Sequence, residues 1–365
     1  MLPRFPILTM LIFLLSCSTV RTGQITNTLP DLPNNIILLI GDGMGLSQIS
    51  AALYSSRKNL ALEEFTYVGL QKTHCKDELI TDSAASATAI SRGVKANYNA
   101  FGSDHIRRAP QSLIEIAEEM NMPTGITVTS SLTHATPAAF VTYQEFRSMN
   151  EGIASDYLNL DIDFLVGGGK KYFDRRQNDT RNLIEELEER NYQVNTYLDI
   201  ELRELGISPK KNLAYFTADS EPLSHMAGRD YFIDACNIGV KYLNNKSNQG
   251  FFYLIESSQI DWGGHANEVK MVLDEIAEFN TVIHNMLTFA KKDGKTLLIV
   301  TADHETGGLS IIGEKEKHKL DIAFSTKQHT ATMVPVFAYG PGANMFSGVY
   351  DNTEIYSKIR RLLQP

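Results

Sequence analysis

The sequence predicts an α/β protein: a three-layer α/β/α sandwich around a mostly parallel central sheet. Three observations predict it. Unbroken apolar runs have the length of strands, amphipathic helical patterns separate them, and acids and histidines gather just after the runs. A parallel sheet is covered by helices on both faces, so its strands read as continuous apolar stretches, without alternation.

In chain order the apolar runs are NIILLIG (35–41), TGITVTS (124–130), FLVGGG (164–169), GFFYLIE (250–256), TLLIVTAD (296–303) and VPVFAYG (334–340). Helical periodicity marks SLIEIAEEM (112–120), TRNLIEELEERN (180–191), YFIDACNIGVKYLNN (231–245), the long stretch 268–292 and TEIYSKIRRLL (353–363). No internal repeat or low-complexity segment interrupts this order. With 365 residues, 43% apolar and 21% charged, the chain has material for a real core. The net charge of -9 argues against a nucleic-acid partner bound through a basic surface.

The first residues read as a targeting segment. Arg4, an apolar run and Leu14-Leu15-Ser16-Cys17 make residues 1–16 a signal peptide, too short to span a membrane stably. The ending resembles a bacterial lipobox, so Cys17 is expected to be lipidated; a plain secretory signal is the alternative. Residues 17–33 read as a tether and 34–365 as the catalytic domain. The protein is then exported, periplasmic and anchored to a bacterial membrane through its N-terminal lipid alone. Cys75 and Cys236 remain, and their spacing leaves a disulfide open.

In open α/β sheets, function gathers at the carboxyl ends of the strands. There the sequence places Asp42, Glu256, Asp303 and His304. IILLIGDGMG poses a choice between a phosphate-cradling glycine loop and a site built on Asp42 itself. The spacing fits neither a dinucleotide fingerprint nor a P-loop, which favours Asp42. Asp303 and His304 can share one ion if the backbone turns, and carboxylate plus imidazole suits zinc or a similar ion. Asp261 and His265 make a second arm, four residues apart, with Gly263-Gly264 between them favouring a loop over a helical turn. His329 precedes another strand. Of nine histidines, His74, His105, His225, His284 and His318 read as bystanders. In ITDSAASATAISRG, Ser83 opens a helical run. Its ordinary reading is an N-cap, but the positive end of a helix also suits a phosphate carried on that hydroxyl.

IGDGMG, TDSAASATA, HATPAA, IESSQIDWGGHA and TADHETGG together resemble the alkaline phosphatase family, in the family's order, from about residue 34 to about residue 345. The resemblance implies two zinc ions and one magnesium ion, and hydrolysis of small-molecule phosphate monoesters at alkaline pH. It implies Ser83 as nucleophile through a phosphoserine, Arg147 as phosphate clamp and Asp82 as the residue that orients it. Asp42 would bridge a zinc and the magnesium. Asp303 and His304 would complete the zinc beside Ser83, Asp261, His265 and His329 would hold the other, and Thr136 and Glu256 the magnesium. Arg147 lies eleven positions after Thr136, as the family's arginine does. Homodimers are frequent in the family, so the resemblance also allows a homodimer.

Two positions depart from the best-known bacterial pattern. His134 and Trp262 stand behind the ligands where that form has an aspartate and a lysine. Losing the acid leaves magnesium the least secured ion, with zinc or cobalt as competitors. His304 and His329 are only 25 positions apart, where larger relatives insert an accessory domain, so a bare catalytic domain with an open site and broad substrate use is expected. The competing readings are a phosphodiesterase or sulfatase cousin and a non-catalytic metal-binding surface lipoprotein. The sulfatase Cys/Ser-x-Pro-x-Arg context is absent, Ser83 with Arg147 favours monoesters over diesters, and no matched position is missing.

Overall fold

A computed structural model of the chain describes residues 32–56, 58–101 and 109–364. The expected signal peptide, Cys17, most of the tether and His105 lie outside the described residues.

Ten strands form one sheet. They are β1 (Asn35–Gly41), β2 (Tyr67–Lys72), β3 (Thr124–Ser131), β4 (Phe164–Gly168), β5 (Tyr192–Thr196), β6 (Asn212–Phe216), β7 (Phe252–Ser257), β8 (Thr296–Thr301), β13 (Val334–Tyr339) and β14 (Gly348–Asp351). Two small antiparallel pairs stand apart from it: β9 (Glu305–Thr306) with β12 (His329–Thr330), and β10 (Leu309–Glu316) with β11 (Lys319–Phe324). The sheet order is β14-β2-β13-β8-β1-β7-β3-β4-β6-β5. All its pairings are parallel except those of β13 with β8 and with β2, so β13 alone runs against the rest.

The apolar runs are continuous because each strand is buried on both faces. In β1, Ile36, Leu38 and Ile40 enter one core, with Ala84, Ala87 and Ile90, Leu113 and Ile116, and Ile355 and Ile359. Ile37 and Leu39 enter the other, with Ile49, Phe232 and Val240, and Val272, Ile276, Phe279 and Ile283. Helices therefore cover both faces, the three layers expected. Each long helical pattern is found, including Phe232–Lys246, Val269–Asp293 and Thr353–Leu363. Among the described residues no helix is long and apolar enough to cross a membrane. The stretch between His304 and His329 holds the two-residue strand β9 and the β10–β11 ribbon. Cys75 packs on Ala85 and Ala96, Cys236 lies in the second core, and both thiols are free.

Two local expectations change. Ser83 is not the N-cap. Asp82 is, and its carboxylate accepts from the N–H groups of Ala84 and Ala85, so the Ser83 hydroxyl is not spent on the helix Ser83–Arg92. The segment with Asp261 and His265 is a helix, Gln259–Ala266, and not the loop its two glycines suggested. Those glycines serve packing. A Cβ on Gly263 would lie 2.9 Å from the backbone N of Val272, and one on Gly264 would lie 2.9 Å from Cβ of Thr306. Tertiary contact overrides the poor helix propensity of glycine.

Gly264→Ala, stabilising in an open helix, should here lower stability by about 1–3 kcal/mol through overpacking. Chemical denaturation of the metal-free protein reads this directly.

Candidate active site

Strands β8, β1, β7 and β3 are neighbours and run in one direction, so their carboxyl ends form one edge. Asp42 follows β1, Glu256 is the penultimate residue of β7, Asp303 and His304 follow β8, and His134 and Thr136 follow β3. Gly43, next to Asp42, has φ +71°, and a Cβ there would lie 2.8 Å from Cα of Asp261 and 2.7 Å from Oγ1 of Thr306. Its N–H donates to Oδ1 of Asp303 at 3.1 Å. The glycine is needed because three site-bearing segments converge on it.

The first cluster is Asp261, His265 and His329. The Nε2 atoms of His265 and His329 are 3.0 Å apart, and they approach the Asp261 carboxylate at 3.3 and 3.5 Å. Behind each ring a backbone carbonyl takes the other nitrogen: Lys327 accepts from Nδ1 of His265 at 2.6 Å, and Thr81 from Nδ1 of His329 at 2.8 Å. With Nδ1 protonated, both Nε2 lone pairs aim at one point beside a carboxylate, the arrangement by which proteins orient imidazole ligands.

The second cluster is Asp42, Asp303 and His304, all fully buried. Nε2 of His304 lies 3.1 Å from Oδ2 of Asp303, 3.5 Å from Oδ1 of Asp42 and 3.3 Å from Oγ of Ser83. The His304 ring stacks on His329 with centroids 3.6 Å apart, so the two clusters are adjacent. The third shares Asp42 and adds Glu256 and a ring nitrogen of His134. His134, which the sequence placed behind the ligands, is thus among the groups that face Asp42. Trp262 stands edge-on to its ring, 6.2 Å between centroids.

These residues carry an unusual electrostatic load. Both oxygens of Asp42, both of Glu256, Oδ2 of Asp303, Nδ1 of His134 and Oγ1 of Thr136 are buried without a hydrogen-bond partner among the described residues. Each such group costs about 1–3 kcal/mol if left unsatisfied. Burial, then the charges of Asp303, Asp261 and Glu256, push Asp42 well above the ordinary carboxylate range. Burial raises Glu256 to about 8 and Asp303 to about 6. Burial also lowers His304 and, with the charge of Arg147, takes His134 down to about 3, so both rings are neutral and can ligate. Burial works against ionising Asp261, yet hydrogen bonds from His265 and His329 hold it well below its usual value. Unpaired buried carboxylates converging with neutral imidazoles fit divalent zinc and magnesium.

Arg147 joins the site through Asp82. Its Nη1 donates to Oδ2 of Asp82 at 2.9 Å, and its guanidinium is partly exposed. Asp82 thereby caps the helix of Ser83 and holds the arginine with one carboxylate, while Asn99 N–H donates to it at 2.9 Å.

The structure brings every sequence-predicted site residue to this one edge, and it adds some. Thr306 donates to Oδ1 of Asp261 at 2.5 Å and lies 3.2 Å from Nδ1 of His304, linking the first two clusters. Buried Glu305 accepts from Gln48 at 2.6 Å and from the N–H groups of Gly308 and Leu309, which holds the turn after His304. TADHETGG contains both residues, but nothing in that string shows what a glutamate or threonine there would touch.

A family model for alkaline phosphatase matches residues 33–322 and 313–364. The chain belongs to the alkaline phosphatase family. Alkaline phosphatase 3 of Bacillus subtilis is 33% identical over 417 aligned positions, spanning 90% of this chain and 89% of that protein. Alkaline phosphatase of Escherichia coli is 28% identical over 418, spanning 94% and 89%. The solved alkaline phosphatase from the Antarctic bacterium TAB5 superposes with a TM-score of 0.84 at 40% identity, covering 91% of this chain and 99% of that one. Two variants of it, with a histidine replaced by aspartate or by glutamate, were solved with magnesium in the M3 site. The protein is accordingly a metal-dependent phosphate-monoester hydrolase of a family that uses zinc and magnesium, as the resemblance implied.

In metal-free protein the buried groups set a pH dependence. Glu256 at about 8 and Asp42 keep a proton in the fold that the unfolded chain has lost. His265 is raised by its bond to Asp261, and His329 is raised because that carboxylate outweighs burial. Lowered His134 and His304 act in the opposite sense only below about pH 6.5, where an unfolded histidine takes up a proton. Between about pH 6.5 and 8 the folded state therefore holds more protons, and its stability falls as pH rises. Thermal unfolding of chelated protein should show a decline in Tm across this window that the metal-loaded protein lacks.

Proposed function

We propose that Ser83 is the nucleophile and that the reaction passes through a phosphoserine. The observation that carries this is the position of its hydroxyl. It opens the ten-residue helix Ser83–Arg92, stays free because Asp82 does the capping, and lies 3.3 Å from Nε2 of His304. The helix N-terminus favours negative charge on that oxygen and on a phosphoryl group attached to it. Arg147, oriented by Asp82, offers a planar pair of donors to the phosphoryl oxygens. Phosphoryl transfer asks chiefly for positioning and charge stabilisation, which these residues supply.

Asp261, His265 and His329 would hold one zinc. Asp42, Asp303 and His304 would hold the second, next to Ser83. Asp42, Glu256 and Thr136 would hold the third ion, and His134, grouped with Asp42 and Glu256, would join them as a ligand. When bound, the ions supply positive charge that polarises phosphoryl oxygens and acidifies oxygen acids. The solved relative took magnesium in its M3 site with a carboxylate in place of a histidine. By that comparison His134 makes the third position here less selective for magnesium.

Export with a lipid on Cys17 belongs to the same reading. Arg4, the apolar run and Leu14-Leu15-Ser16-Cys17 support it, and the periplasmic face of a bacterial membrane would be the place of action.

Zinc- and magnesium-loaded protein should hydrolyse an aryl phosphate monoester in strong preference to the matching diester or sulfate. Chelation and Ser83→Ala should each abolish turnover, and Arg147→Ala should lower kcat/KM by about 10²–10³, the scale of losing a placed charge-stabilising donor. Preference for the diester or the sulfate would refute the monoesterase reading. In a bacterial host, a fatty-acid label should enter the full chain and be lost in Cys17→Ser; labelling that survives this change would refute the anchor.

A further inference from the structure

Asn352 precedes the C-terminal helix Thr353–Leu363 at its N-cap, where an asparagine side chain ordinarily binds the first turn. Here it makes no capping bond. The side chain is fully buried and turned towards the site. Its Nδ2 donates to Oγ of Ser86 at 3.2 Å, and its Oδ1 accepts from Nζ of Lys95 at 2.7 Å. The hydroxyl of Ser86 in turn donates to the backbone carbonyl of Asp303 at 2.7 Å. Ser86 lies one helical turn after Ser83, and Asp303 directly precedes His304. Local capping has been given up for a tertiary bond, a sign that the bond serves the site.

We propose that Asn352 is a positioning residue for the phosphatase reaction: through Ser86 it ties the helix that carries Ser83 to the strand end that carries Asp303 and His304. The proposal rests on the reading of Ser83 as nucleophile. Its chemistry is directional. A serine has one proton, and that of Ser86 is given to the Asp303 carbonyl, so Ser86 can only accept from Asn352. The Asn352 amide presents its NH₂ because the ammonium of Lys95, which has no lone pair, claims the oxygen. Lys95 is fixed in its turn by Asp351 at 3.0 Å and by the carbonyl of His74. Donors therefore point one way from Lys95 to the Asp303 carbonyl, and a relay of this kind holds its members to one geometry.

Asn352→Asp and Asn352→Ala separate this role from simple space filling. Aspartate keeps the shape and gains an ion pair with Lys95, but its carboxylate draws the Ser86 proton away from Asp303. Alanine leaves Ser86 free to keep donating to that carbonyl. The full chain is prepared with each change and with Ser83→Ala as a control. Three quantities are read: zinc affinity by titrating metal-free protein, kcat and KM for an aryl phosphate, and Tm. The expected result is that Asn352→Asp weakens zinc binding and lowers kcat by about 10–100-fold, the scale of losing a group that orients a ligand. KM and Tm should stay near the parent values, and Asn352→Ala should be the milder change in both affinity and kcat. Alanine harsher than aspartate, a kcat loss that merely follows a fall in Tm, or no change in either variant would overturn the proposal. The zinc titration reads the tether whatever the nucleophile is, while the Ser83→Ala control tests the nucleophile alone.

Discussion

The constraint on which the structure depends is the burial of four carboxylates, Asp42, Glu256, Asp261 and Asp303, at one sheet edge. Among hydrocarbon such a group is unfavourable unless it is protonated or opposed by positive charge. Among the described residues Asp42 has neither an arginine nor a lysine partner, and both its oxygens lack hydrogen bonds. Divalent cations would complete the fold there, and once bound they would supply positive charge to attract an anionic substrate.

Parallel topology makes that concentration of charge possible. Seven consecutive strands run the same way, so every βα connection on this side opens at the same edge, and residues more than two hundred positions apart become neighbours. Asp42 and Asp303 meet because β1 pairs with β8, and Glu256 joins because β7 is the other neighbour of β1. The glycines are consequences of this crowding. Gly43 and Gly264 stand where backbones that carry site residues approach too closely for a side chain.

Single residues serve two elements at once. Asp82 caps the helix of Ser83 and holds Arg147, so the proposed nucleophile and the proposed phosphate clamp share a mechanical reference. Thr306 couples Asp261 to His304. The site is one connected body in which shifting any member is felt by the rest, the condition for preorganised electrostatic stabilisation.

The sequence alone determined the architecture and the identity of the chemistry. Strands buried on both faces cannot avoid a continuous apolar run, and ligands at strand ends must be acids and histidines, so both are written locally. Short strands with mixed polarity left a weaker trace. Partly exposed β2 and β14, half-buried β5 and the β10–β11 ribbon lie outside the apolar runs, because a strand partly in water need not be apolar and its pairing energy comes from a neighbour distant in the chain; β6 is buried throughout, but its five residues, opened by Asn212, are too short a run to stand out. The tertiary structure alone decided the rest. It made a helix of Gln259–Ala266 by packing Gly263 and Gly264 against Val272 and Thr306, moved the cap from Ser83 to Asp82, set His134 facing Asp42, and turned Asn352 from its own helix towards Ser86. Each of these depends on which atoms lie within about 3 Å, and that is a property of the assembled fold, which no stretch of sequence carries by itself.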